Sequence, residues 1–411
     1  MIGADANVFP RPVRTAAHCA PGAAPGGPRP RFTVDGDDAL ERHLERTCAQ
    51  VCSGIRGLIP PAKLEAVWLG GGYGRGEGGV LRGPAGDRPY NDLEFYVAIK
   101  GNRHCSEVRY GRRLEVLGEI LTHLADAEIE FKITSLAETA ARSITMFSYD
   151  LAAGHRVLWG AALGQFSTRC DHHRRPENIP AAEATRLLMN RCTGLLFARA
   201  ELEREPFTPG AADFVRRNVA KAQLACGDAL VAAAGRYHWS CRDRHARLQQ
   251  LARRDPSPWL DSILRHHAAG VEFKLHPESG GIPRAALFAS HREITALALR
   301  CWLLLETRRL GRSFASARGY AVDRGDKCPG SVPVRNLLLN LRADGFRLRP
   351  RLSLWRHPRQ RIFESLALLL WEPLALVDPL LRGRLAAELN PNAHDPDDWI
   401  AAYRALWAHV R

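Results

Sequence analysis

Apolar residues recur at helical spacing through DALERHLERTCAQVCSGI, where Ala39, Leu40, Leu44, Cys48, Val51 and Ile55 share one stripe and Asp37 or Asp38 can cap the start. AVWLG then reads as a short buried strand and LEFYVAI as a second. EIEFKIT alternates cleanly and predicts a third strand, with VRYGRRLEVLGEILTHLA as a helix before it. YDLAAGHRVLWGA predicts a helix, a turn and a short strand. Beyond about residue 176 the pattern changes. PAAEATRLLMNRCTGLLFARAELE, GAADFVRRNVAKAQLACGDALVAAAG and REITALALRCWLLLETRRL are long, apolar at 3.6-residue spacing and almost free of alternation. Gly and Pro in HPESGGIP and DRGDKCPGSVP separate the helical groups, and no internal repeat is present. The expected fold is α+β: a small mixed-sheet domain over residues 31–168, a helical domain over 176–280 and a C-terminal helical domain over 281–411. Residues 1–30, rich in Pro, Gly and Ala without periodicity, are expected to be a disordered tail.

Composition narrows the class. A chain of 411 residues holds two or three domains, and a hydrophobic fraction of 45% supports a core without staples. The ten cysteines are scattered, with no C-x-x-C pair; Cys48 and Cys52, four apart, suit one helical face. Cys170, His172 and His173 in CDHHRR lack a second ligand pair, which argues against a zinc site. Reduced cysteines and the lack of a secretory leader pattern point to the cytoplasm. The most apolar late stretch, ESLALLLWEPLALVDPLL, is broken by Glu372, Pro373, Asp378 and Pro379, so no membrane span is expected. The formal net charge is +14, unevenly placed. Residues 1–160 hold 19 Lys and Arg and 19 Asp and Glu, which leaves 39 against 25 in the remainder. A polyanionic partner and a simple arginine-rich composition both account for that surplus.

The candidate chemistry lies in GGGYGRGEGG, residues 70–79, and in NDLEFYV, which begins at Asn91. A P-loop fails because no Gly-Lys-Ser/Thr closes the stretch. Gly74, Gly76 and Gly79 match G-x-G-x-x-G literally, but a dinucleotide site needs a helix to begin within the glycines. Gly83, Pro84, Gly86 and Pro89 forbid that helix, and the acids precede the apolar run of their strand rather than follow it. A third reading joins the two stretches. A glycine turn lets backbone amides approach a phosphate chain, with Arg75 adding positive charge. Asp92 and Glu94, two apart on a strand, share a face and repel unless something neutralises them, and a divalent metal would do so. AEIEFKIT offers Glu128 and Glu130 as a third acid, with Lys132 on the same face and Ile129, Phe131 and Ile133 toward the core.

GGYGRGE followed by D-x-E on a strand resembles the DNA polymerase β-type nucleotidyltransferase superfamily. The glycine stretch is most similar to PII uridylyltransferase, and the layout to the aminoglycoside nucleotidyltransferases. The resemblance spans roughly residues 60–165 and implies transfer of a nucleoside monophosphate from an NTP, ATP among the candidates, to an acceptor hydroxyl. It implies that Gly71 and Gly72 cradle the phosphates. Asp92 and Glu94 would hold two Mg²⁺ ions, with Mn²⁺ as a substitute, and Glu130 would ligate one of them and help to deprotonate the acceptor. The chain departs from the family in three places: GVLRGPAGDRPY looks inserted, Asn91 stands where serine often precedes the first acid, and the third acid is Glu, with Glu128 competing for the role. A catalytically inactive nucleotide-binding or RNA-binding regulatory protein of the same fold is the alternative.

In the helical half, Lys221 and Asp228 fall near one face of an alanine-rich helix that Tyr237 follows. Lys221 either contacts the triphosphate or makes a surface salt link. FRLRPRLSLWRHPRQR carries six arginines with Phe346 and Trp355 between them, a pattern open to RNA or DNA as well as to a solvated loop. The acceptor (small molecule, protein or RNA) is not specified by these features.

Overall fold

The computed structural model describes residues 31–160, 170–278, 281–345, 354–372, 374–389 and 395–410. The tail expected over 1–30 and the arginine-rich residues 346–353 lie outside the described residues.

The chain opens with α1 (Asp38–Leu58), whose start is fixed by Asp37: its carboxylate accepts the Leu40 amide. β1 (Leu64–Leu69) runs into the short turn α2 (Gly71–Gly74). The inserted stretch folds as a small hairpin of β2 (Val80–Leu81) and β3 (Arg88–Pro89). β4 (Leu93–Ile99), α3 (Arg103–Ala125) and β5 (Ile129–Thr134) follow, then α4 (Leu136–Ala141), α5 (Met146–Ala153) and β6 (Arg156–Trp159). The longer elements after these are helical: α6 (Ala181–Glu203), α7 (Pro209–Ala233), α8 (Cys241–Arg254) and α9 (Pro258–Leu275). Then come α10 (Arg284–Leu310), α11 (Ala317–Val322), α12 (Pro333–Ala343), α13 (Arg359–Trp371), α14 (Pro379–Glu388) and α15 (Pro396–Val410). The fold is α+β, as its periodicities predict.

The main sheet has the order β5-β4-β1-β6. β1 is antiparallel to both neighbours, whereas β4 and β5 run parallel, joined by the α3 crossover. Alternation on β4 divides its side chains. Leu93, Phe95, Val97 and Ile99 join a core with Leu44, Val51 and Ile55 of α1 and Tyr110, Leu114 and Leu121 of α3. On the other face Tyr96 and Ala98 pack with Ala66, Trp68, Leu136 and Leu151. Both faces of the sheet are covered, and the acids lie on the second face, where β4 and β5 begin.

The chain forms two compact units that interleave in sequence. The first takes residues 31–183 and 231–280, the second 184–230 and 281–411. The contiguous helical domain expected over 176–280 is thus divided between the two. The reason is visible at residue level: α8 and α9 supply buried partners to the glycine stretch, a long-range pairing that helical periodicity cannot announce. The second unit is helical and carries buried ion pairs of its own. Lys327 Nζ donates to Glu364 at 2.8 Å, Arg309 pairs with Glu306, and Arg361 pairs with Asp344 at 3.2 Å. Among the described residues no helix is long and apolar enough to cross a membrane.

Candidate metal and nucleotide site

Two strands and one turn build the site. The parallel register places Glu94 opposite Glu130 and Tyr96 opposite Lys132, so a period of two on each strand delivers four polar side chains to one face. Asp92 stands just before β4, and the Leu93 amide, bonded to the Glu128 carbonyl at 2.8 Å, fixes it there. Carboxylate oxygens of Asp92, Glu94 and Glu130, one from each, lie within 4.8 Å of one another. They form the one acidic or His/Cys group of that kind among the described residues. Glu128 is exposed and does not belong to it, and Cys170, His172 and His173 form no such group. Instead His173 Nε2 lies 2.9 Å from the Thr139 carbonyl.

Lys132 Nζ lies 3.0 Å from Glu94 and 3.0 Å from Glu130. The second oxygen of Glu94 accepts the Tyr96 hydroxyl at 3.0 Å. Burial, then the charges of Glu94 and Glu130, push the Asp92 carboxyl above its usual range. Burial works against the Lys132 ammonium, but Glu94 and Glu130 outweigh it and raise its proton affinity. Tyr96 was not anticipated from the sequence, although its position two residues beyond Glu94 places it on that face.

The glycine turn lies against this cluster. The Gly70 amide donates to the Glu94 carbonyl at 2.8 Å. Gly71 has φ +59°, and a Cβ there would stand 3.5 Å from a Glu94 carboxylate oxygen. Gly72 comes next, and a Cβ on it would meet the Glu77 carbonyl at 2.8 Å. The turn therefore needs Gly71 for its left-handed backbone and Gly72 for close backbone approach. Tyr73, buried beneath, donates its hydroxyl to the Gly79 carbonyl and accepts the Tyr90 amide, which ties the inserted hairpin to the turn.

The two charged residues of GRGE do structural work within the first unit. Arg75 pairs with Asp150 of α5 at 2.9 Å and is largely buried, and Tyr237 donates to the same Asp150 oxygen. Glu77 is 1% exposed. It accepts Ser240 Oγ at 2.6 Å and the Cys241 amide at 2.8 Å, at the start of α8, while Lys274 Nζ donates to its carbonyl. Burial alone would raise its carboxyl; the Ser240 hydrogen bond, the Lys274 charge and the Cys241 amide hold it down at about 2. No signal within the glycine stretch points to these partners. Lys221 belongs to the second unit, where it is exposed on α7, whereas Asp228, seven positions on, is buried.

Comparison with family models, with curated proteins and with solved structures returns no match.

Proposed function

We propose that the chain is a metal-dependent nucleotidyltransferase that moves a nucleoside monophosphate from an NTP to an acceptor hydroxyl and releases pyrophosphate. The observation that carries this reading is the convergence of Asp92, Glu94 and Glu130 from two register-paired strands, with a glycine turn against Glu94. The donor set is all carboxylate oxygen, which suits a hard cation such as Mg²⁺ or Mn²⁺. Three carboxylates share one ammonium, Lys132, and burial together with the charges of Glu94 and Glu130 raises Asp92, so the cluster is short of positive charge and fits such an ion. Asp92, Glu94 and Glu130 would hold it, and when bound it would supply Lewis-acid polarisation and acidify an attacking hydroxyl.

The chain's own groups carry the remaining tasks in this proposal. Gly71 and Gly72 admit phosphate oxygens to the backbone because no Cβ intervenes. Glu130, 40% exposed, receives the acceptor's proton. Tyr96 and Lys132 hold Glu94 in one orientation. Positioning and electrostatics supply most of the acceleration in transfers of this kind. The test is incubation with each α-³²P-labelled NTP, Mg²⁺ and cell extract. Label on a new molecule, lost with EDTA and with Asp92→Asn, is the expected result; labelling indifferent to Asp92→Asn would sink the proposal.

One observation favours a second reading. Lys132 already bridges two of the three carboxylates, as in a site that has given up catalysis and retained nucleotide binding. Calorimetry separates the two: Mg²⁺-dependent NTP binding without pyrophosphate release over every acceptor tried is the signature of the regulatory protein.

A further inference from the structure

We infer that Lys132 stands in for one cation, so that the cluster takes a single divalent metal ion rather than the pair the family resemblance implies. This rests on the nucleotidyltransferase reading of the same site. Lys132 Nζ sits 3.0 Å from both Glu94 and Glu130, a bridging position between carboxylates of two strands. The register fixes it there: Lys132 is opposite Tyr96, and its ammonium lies 5.6 Å from that ring's centre. Both Glu94 oxygens are already shared, one with Lys132 and the other with Tyr96, so a second metal would compete with each for its lone pairs. A second divalent ion would have to displace the ammonium or sit beside it, against direct like-charge repulsion.

Charge gives the same count. Three carboxylates and one ammonium carry a formal −2, which one divalent ion neutralises. Among the described residues the ion pairs of Lys132 are with the two glutamates and not with Asp92. Asp92, which does not share the ammonium, therefore anchors the single ion, with Glu94 and Glu130 beside it.

The experiment counts Mn²⁺ bound to the full chain by electron paramagnetic resonance, without nucleotide. The wild-type chain is expected to saturate at one ion, Lys132→Gln at two, and Lys132→Arg, which keeps the charge, at one. Should Lys132→Gln lose its circular dichroism signal, Lys132→Met repeats the count. Two ions on the wild-type chain, or one on the neutral variant, overturns the inference and leaves the transferase reading standing. No Mn²⁺ on either chain overturns both.

Discussion

Asp92 is a carboxylate whose charge this fold disfavours. Burial and two neighbouring glutamates raise its folded affinity for a proton above that of the unfolded chain, near 3.8. Its contribution to stability is therefore full below that value and is lost as pH rises through the raised folded one. Asp92→Asn should melt higher than the wild-type chain at pH 7, with the gap closing toward pH 4; thermal melts across that range check it. The same variant should lose transfer activity by about 10³-fold or more, since positioning and charge do most of the work. Glu77 has the opposite sign. Its folded carboxyl titrates at about 2 against 4.5, so its contribution is present above 4.5 and is lost as pH falls toward 2. Glu77→Gln should cost on the order of 3 kcal/mol at pH 7 and progressively less in acid, read from urea melts at fixed pH. The sequence makes the first of these residues visible and hides the second. Asp92 and Glu94 announce themselves through a period of two on an apolar strand. Glu77 gives no local sign, because its partners Ser240, Cys241 and Lys274 stand 163, 164 and 197 residues away.

Among the elements, the short turn after β1 is tightly constrained. Gly71 is left-handed, and a side chain there costs roughly 1 kcal/mol or somewhat more. Gly74 is tighter, since a Cβ would fall 2.1 Å from the Leu69 carbonyl and the main chain must move to admit it. Gly74→Ala should therefore lower the melting temperature further than Gly71→Ala, as calorimetric scans of the two variants would show. α1 and α3 were legible from an apolar period of 3.6, β5 from a period of 2, and β1 and β4 as short apolar runs, whereas the β2–β3 hairpin was not, because its two-residue strands are too short to show a period. The choice between Glu128 and Glu130 was not, because both share one parity. Only the pairing of β4 with β5, a relation between strands, assigns Glu130 to Glu94.

Across the whole molecule, sequence order and spatial grouping part company. The strands of the first unit precede residue 160, but α8 and α9 complete it after the chain has passed through 184–230. A fragment of residues 31–168, the boundary that composition suggests, would keep Glu77 and discard Ser240, Cys241 and Lys274. It should show no cooperative thermal transition by circular dichroism, whereas the full chain should. The basic surplus beyond residue 160 is partly internal: Arg244 and Arg361 are buried at 3% and 2% exposure, and Arg309 is tied to Glu306. Composition counted those charges and could not tell buried from displayed.

The interleaving also sets a timetable for the nascent chain. Glu77 leaves the ribosome 163 residues ahead of Ser240. At about 5–20 residues per second that is a wait of roughly 8–30 s. Throughout it, an acidic side chain destined for the interior remains hydrated and the glycine turn lacks its anchor. The glycine turn is thus synthesised early and anchored late, once α8 has emerged.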